Sequence, residues 1–376
     1  MLVAASLCAT LASAQPARRA GAPAPSPVTL VLEPILEVAL DAQPAAPAAF
    51  DASGAYLPLK GGRLVAVDLA SGHVRWANDL ATAWAPDVDD GLVVVAGDEL
   101  LTALEAATGR PRWRVPVAGG FSAPPRIAGG WVVAVSRDGE VLMIRAADGG
   151  LLWTRSVGSA ASARPEATPD GVYLPLADNR VVALDLKTGE PRWERVLGGR
   201  PGDLLVLAEH LFVGADDKFF YSIKPDKGAV RWKQRVGGRP AGAAAVDARR
   251  VFYVALDNIL WAFDRGNGGR KWYERLPVRP SGGPLVVGDL VVVAGVAAEV
   301  LAHRADTGVL AGKSSSPADL AAAPQLVPSD VPALTSIALV TRAGVFMLLA
   351  RRVEPSPSVL PYPLGTEIPV SALSRD

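Results

Sequence analysis

Residues 181–193 read VVALDLKTGEPRW: an alternating apolar run, a polar turn around Gly189, and a return strand closed by Trp193. Alternation at period two marks a half-buried strand, and a turn glycine supplies the positive φ that lets a chain fold back tightly on itself. One such hairpin would decide little. The pattern recurs as LVAVDLASGHVRW at 64–76, LTALEAATGRPRW at 101–113, VLMIRAADGGLLW at 141–153, FYSIKPDKGAVRW at 220–232 and LWAFDRGNGGRKW at 260–272. The closing residues Trp76, Trp113, Trp153, Trp193, Trp232 and Trp272 are spaced 37, 40, 40, 39 and 40 residues apart. Four residues before each stands a glycine: Gly72, Gly109, Gly149, Gly189, Gly228 and Gly268. A seventh copy, VLAHRADTGVLAG at 300–312, keeps Gly308 but has Gly312 where tryptophan is expected. A fixed period of this size marks a repeat architecture whose units bury their apolar faces against one another.

Upstream of each hairpin lies a second apolar run, such as GLVVVAG at 91–97 or DLVVVAG at 289–295. Before that comes a stretch of small residues and proline with room for a short innermost strand. Four short strands in about forty residues make a propeller blade. Gly and Pro punctuation leaves almost no helix signal. The expected fold is all-β: a β-propeller of four-stranded antiparallel blades. After the seventh copy, TSIALVTRAGVFMLLARR at 335–352 repeats two strands of a blade without reaching a Gly-x-x-x-Trp. VTLVLEPILEV at 28–38 has no hairpin partner of its own and is the natural outer strand for it. That closure gives eight blades, the eighth composite, and removes the open sheet edges. Seven blades with an extra terminal hairpin is the alternative.

Apolar residues make up 50% of the 376-residue chain, enough to bury a large core. Lys+Arg and Asp+Glu balance at 38 each, which removes the broad cationic field that holds nucleic acid. One cysteine and three histidines are too few for a soft-metal site, and His73, His210 and His303 fall at unrelated blade positions without triad or metal spacing. The cysteine, Cys8, lies in an uncharged apolar stretch ending Ala12-Ser13-Ala14, the pattern of a secretory signal core and its cleavage site. We therefore expect a signal peptide at 1–14, a Pro/Ala-rich linker at 15–27, the propeller at 28–354 and a flexible tail at 355–376. The expected location is the periplasm. Lipidation of Cys8 and retention as an uncleaved anchor are the alternatives, although Leu7 is bulky where lipoprotein signals carry a small residue. No later run is long and apolar enough to span a bilayer, so any outer-membrane association is expected to be peripheral.

Hairpins of the form A-x-D-x-x-T-G-x-x-x-W at this period resemble the pyrroloquinoline-quinone-like propeller repeat, over roughly 28–352. The resemblance implies that each tryptophan docks between neighbouring blades on small residues and backbone of the next sheet. Its quinoprotein dehydrogenases are larger and use pyrroloquinoline quinone, calcium, an Asp base and a disulfide of adjacent cysteines. This chain has no cysteine pair and no acidic segment matching the calcium ligands, so neither pyrroloquinoline quinone nor calcium is expected and no cofactor or catalytic residue is assigned. The chain is closer in length and layout to the cofactor-free periplasmic branch, which includes the propeller scaffold subunit of the outer-membrane β-barrel assembly machinery. That branch implies a non-catalytic, monomeric ring that binds an envelope protein partner through loops on one face. A quinone-dependent dehydrogenase-like protein and a small-ligand-sensing propeller are the alternatives.

The six rim tryptophans read as structural, because a cofactor floor needs one indole near the axis. Trp131 and Trp261 fall in second and third strands, where burial between sheets is the default. Trp84, in a connection beside Ala85-Pro86, is a candidate ligand or partner contact. Arg200-Pro201, Arg239-Pro240 and Arg279-Pro280 each begin seven residues after their tryptophan, which puts the three arginines on one circle near the channel mouth. Such an arc would hold carboxylates or phosphates through paired hydrogen bonds. The plainer reading is that each arginine ties its own link to a neighbouring carboxylate or carbonyl. Arg164-Pro165 resembles them but follows Trp153 by eleven residues. Asp87, Asp89 and Asp90 before Gly91 read as a polar hairpin turn rather than a calcium loop.

Overall fold

The 181–193 hairpin sets the pattern for the whole ring. Arg180–Leu184 pairs antiparallel with Pro191–Val196 across a bulge between Ala183 and Leu184, and Gly189 turns the chain at φ 70°. The Asp185 carboxylate caps that turn, accepting the backbone N–H groups of Lys187 and Thr188 at 3.0 Å each. These bonds hold its carboxyl below the usual range. Gly171–Pro175 pairs with the other edge of Arg180–Leu184, and Glu166–Thr168 adds the innermost strand. In the computed structural model, which describes residues 32–328 and 336–351, eight such four-stranded antiparallel sheets form a ring. We number the blades 1–8 along the chain, blade 1 starting at Ala49.

Blade 8 is composite. Gln325–Val327, Ser336–Val340 and Val345–Arg351 come late in the chain, and the outer strand is Leu32–Ala39, with Leu32 opposite Arg351 and Ala39 opposite Val345. This pairing excludes the seven-bladed alternative. The expected signal peptide, linker and tail, together with Cys8 and the 28–31 end of the closing strand, lie outside the described residues.

The core is divided into layers between blades. Gly171–Pro175 is buried at every position, whereas Pro191–Val196 alternates. The layer joining blades 3 and 4 packs Val133, Val135 and Met143 against Val172, Leu174 and Val182. Each rim tryptophan staples one layer. Trp153 donates its indole N–H to the Leu186 carbonyl of the next blade at 3.0 Å, and its ring covers Gly189, where a β-carbon would lie 2.7 Å from the indole. Trp76, Trp113, Trp193, Trp232 and Trp272 make the same bond to Ala106, Ala146, Pro225, Arg265 and Ala305, at 2.7–3.3 Å. An indole burying ~200 Å2 contributes about 5 kcal/mol as an upper bound.

The two exceptions have one cause. Blade 8 has no hairpin between its third and outer strands, because those strands come from opposite ends of the chain. Blade 7 therefore meets no glycine turn for an indole to cover, and Gly312 stands there. Instead, Ser314 donates to the Leu32 carbonyl at 3.2 Å. On the other flank, Leu36 and Val38 of the closing strand cover Gly72 where a tryptophan would otherwise lie.

Candidate functional site

Each link from an outer strand to the next innermost strand crosses the same face of the ring. Arg200, Arg239 and Arg279 occupy equivalent places on it. Their carbonyls accept the backbone N–H groups of Asp216, Leu256 and Val296, each in the turn between strands two and three of its blade, at 3.0, 2.9 and 2.9 Å. The prolines that follow bridge to Ala215, Ala255 and Gly295. All three arginines are exposed. Arg239 and Arg200 share one carboxylate, Asp216, at 2.9 and 3.5 Å. The Arg279 guanidinium makes no ion pair among the described residues and lines a groove of ~420 Å3 together with Arg342. In blade 8 the equivalent link residue is Asp319, whose carbonyl accepts the Arg342 N–H at 2.8 Å, so the arc continues with Arg342 from the turn.

Arg164 lies elsewhere. It precedes the innermost strand of blade 4, and its guanidinium reaches Asp87 at 3.6 Å and the Pro86 carbonyl at 3.2 Å. It belongs to a belt of charge on the channel wall. Arg126, on the innermost strand of blade 3, reaches sideways to Asp87 of blade 2 at 3.2 Å and to Glu166 of blade 4 at 3.3 Å. Asp87 also accepts the Ile127 N–H at 2.9 Å. Burial pushes the Glu166 carboxyl up, against the pull of Arg126 and Arg164. Burial also opposes the Arg126 charge, but Glu166 and Asp87 more than offset it, leaving the guanidinium more basic than usual. These residues couple three adjacent blades through their inner edges, with geometry that favours charge-assisted bonds.

The aspartate cluster thus divides. Asp87 and Asp89 sit on the innermost strand Asp87–Asp89, and only Asp90 and Gly91 form the turn. Asp87 is 7% exposed, and Asp89 accepts the Gly129 N–H of blade 3 at 2.8 Å. The turn reading holds for the end of the cluster and fails for its start, because an inner strand this short reaches right up to its hairpin.

A family model described as outer membrane protein assembly factor BamB matches residues 60–204 and 205–325, more than half of the chain. The chain belongs to the BamB family. Among solved structures, BamB from Moraxella catarrhalis superposes with a TM-score of 0.71 at 20% identity, covering 85% of this chain and 100% of that one. Sqt1 from Saccharomyces cerevisiae gives 0.74 at 11%, covering 86% and 100%. A quinohemoprotein alcohol dehydrogenase from Comamonas testosteroni gives 0.67 at 14%, covering 88% and 78%. At these identities the likenesses speak for the fold alone. No curated protein matches by sequence.

Three further tryptophans and two of the three histidines of this BamB-family ring pack against its layers, whereas His73 is exposed. Trp84 is half-buried against the layer between blades 2 and 3, its backbone N–H bonded to Thr82 Oγ1 at 3.0 Å. Trp131 packs on the layer between blades 3 and 4, and Trp261 stacks on Phe263 at 5.8 Å. His210 bonds Ser222 at 2.9 Å and His303 bonds the Gly308 carbonyl at 2.8 Å, both buried. Among the described residues no helix is long and apolar enough to cross a membrane. Sequence reasoning missed the belt of Arg126, Glu166 and Asp87, although these residues stand 39 and 40 apart, in the register of the repeat itself.

Proposed function

We propose that this BamB-family propeller is a non-catalytic scaffold of envelope assembly, exported to the periplasm, that holds an envelope protein through the face bearing Arg200, Arg239 and Arg279. The carrying observation is the arc itself: three exposed guanidiniums fixed at equivalent ring positions, with a single shared carboxylate between two of them. Such an arc suits a partner segment carrying carboxylates, and a rigid ring loses little freedom on binding. Family membership supports the scaffold role, and any association with the outer membrane is peripheral, through the partner. The ring acts as a monomer and carries no cofactor. A quinone-dependent dehydrogenase would need a metal and an indole floor at the axis. Among the described residues no group of three or more His, Cys, Asp or Glu is placed to hold a metal, and no tryptophan lines the axial cavity.

Cross-linking in intact cells, read by mass spectrometry, tests the reading. The triple variant Arg200→Glu, Arg239→Glu, Arg279→Glu should lose the principal envelope adduct while keeping the wild-type melting temperature. An unchanged adduct set refutes the assignment of this face. Stoichiometric uptake of pyrroloquinoline quinone with calcium, accompanied by dye-linked alcohol oxidation, refutes the non-catalytic reading.

A further inference from the structure

The axial cavity has two unlike walls. Blades 2, 3 and 4 present the paired charges of Asp87, Arg126, Glu166 and Arg164. The innermost strands of blades 5, 6, 7 and 8 line a cavity of ~740 Å3 with Leu205, Ala245, Leu285 and Leu326, and Pro47, in the link before blade 1, adjoins them. Part of the small-residue lining is explained by packing, since the links of blades 6 and 7 leave no room for a β-carbon at Gly242 or Gly283. Packing does not explain Asp203, the one ionisable side chain among the described residues that line this cavity. Its carboxylate accepts no hydrogen bond and makes no ion pair among the described residues. Arg164, whose field reaches it, is bonded instead to Asp87 and the Pro86 carbonyl. Asp203 is exposed to the channel, and the ring atoms around it raise its carboxyl above the usual range against the pull of Arg164.

It stands at the edge of an apolar wall as a carboxylate that no side chain engages among the described residues, so its charge is open to an arriving cation. The size fits: small-molecule sites run about 300–1,000 Å3, mostly apolar with few convergent polar groups. The sign also fits on this wall, because Arg126 and Arg164 are already paired with Asp87 and Glu166, which leaves Asp203 without a neutralising partner among the described residues. The cavity adjoins the arginine groove, with which it shares Ser281 and Ala322, so it opens toward the link-bearing face. We propose that the axial cavity binds a small organic cation, a protonated primary amine on an apolar body, with the ammonium on Asp203 and the body against Leu205, Ala245, Leu285 and Leu326. The site is independent of the partner-binding reading, which rests on the exposed arc.

Isothermal titration of the purified protein at neutral pH with n-hexylamine, n-hexanol and hexanoate tests this. Hexylamine should bind once per chain and about tenfold or more tighter than hexanol, with hexanoate weakest. Asp203→Asn should abolish the preference for amine over alcohol without weakening hexanol. Ala245→Leu, which narrows the cavity at the apolar wall, should weaken both. Should the Asn variant fold poorly, Asp203→Leu completes the apolar wall; it should melt above wild type and bind the alcohol without preference for the amine. Equal affinity for amine and alcohol, amine binding unchanged by Asp203→Asn, or no saturable binding of any of the three overturns the proposal.

Discussion

Gly189→Ala separates the two reasons a glycine stands beneath each rim tryptophan. Gly189 has φ 70° and Gly158, in the link after blade 3, has φ 73°, so both occupy the left-handed region. A residue with a β-carbon there costs about 1–2 kcal/mol. At Gly158 a β-carbon meets nothing within 4 Å, and that cost is the whole effect. At Gly189 it lies 2.7 Å from both Cδ2 and Cε3 of Trp153 and 3.1 Å from Cζ3. The turn cannot retreat, because the Gly189 N–H is bonded to the Asp185 carbonyl at 3.0 Å and Asp185 caps the same turn. The indole must move instead. It gives up its bond to Leu186, about 1 kcal/mol, and part of a burial whose complete loss in a core costs about 3–5 kcal/mol. Gly189→Ala should therefore cost about 3–5 kcal/mol against about 1–2 for Gly158→Ala. Guanidinium unfolding followed by tryptophan fluorescence measures both. Equal midpoint shifts for the two variants would show that backbone conformation alone selects the glycine and that the tryptophan contact is incidental.

Arg126→Met leaves half-buried Glu166 without its cation and Asp87 with Arg164 alone, and should destabilise by about 1–3 kcal/mol, which the same denaturation measures. Replacing all three residues by apolar ones should recover most of that loss; failure to recover would mean the belt does more than compensate its own burial. Asp203 gives a pH signature. Its carboxyl is raised in the fold, so the stabilising proton is fully present below the unfolded value of 3.8 and lost as pH rises through the folded one. Asp203→Asn should therefore gain on wild type from acid toward neutrality, with melting temperatures converging at the acid end; a constant gap refutes this. Deleting Leu32–Ala39 should expose the edge of Val345–Arg351 and drive association visible by light scattering, and a peptide of that sequence should reverse it.

The rim was legible because one tryptophan and one glycine serve each interface in a fixed register, so six copies reinforce one another. The composite blade was legible by elimination, as an outer strand without a hairpin and a hairpin without an outer strand. Gly312 looked like a lapse in the repeat and proved to be its logical end, since no turn lies beyond it. The arc's equivalence followed from spacing, but its ion pairs did not: Asp216 lies in a turn whose aspartate has no counterpart at Leu256 or Val296. The channel belt stayed hidden for a different reason. Asp87, Arg126 and Glu166 occupy one structural position with three different side chains, and a search for sameness passes over complementarity. Arg164 shared the Arg-Pro wording of the arc but stood in another phase of the blade, and phase decided where it went.

The clasp of blade 8 also governs the order in which the protein can come into being. Every other blade draws its strands from a single stretch of chain, whereas Leu32 and Arg351 are 319 positions apart (351 − 32). Seven blades can form as the chain emerges, but the strand made first must wait for the last, since contacts this distant in sequence are slow to form. During that interval both flanks of the arc of blades are unsealed, and the waiting strand can complete a neighbouring chain as readily as its own. A ring closed this way is secure once shut and most vulnerable just before, so a helper that shields the unpaired first strand would act at the step where this molecule is easiest to lose.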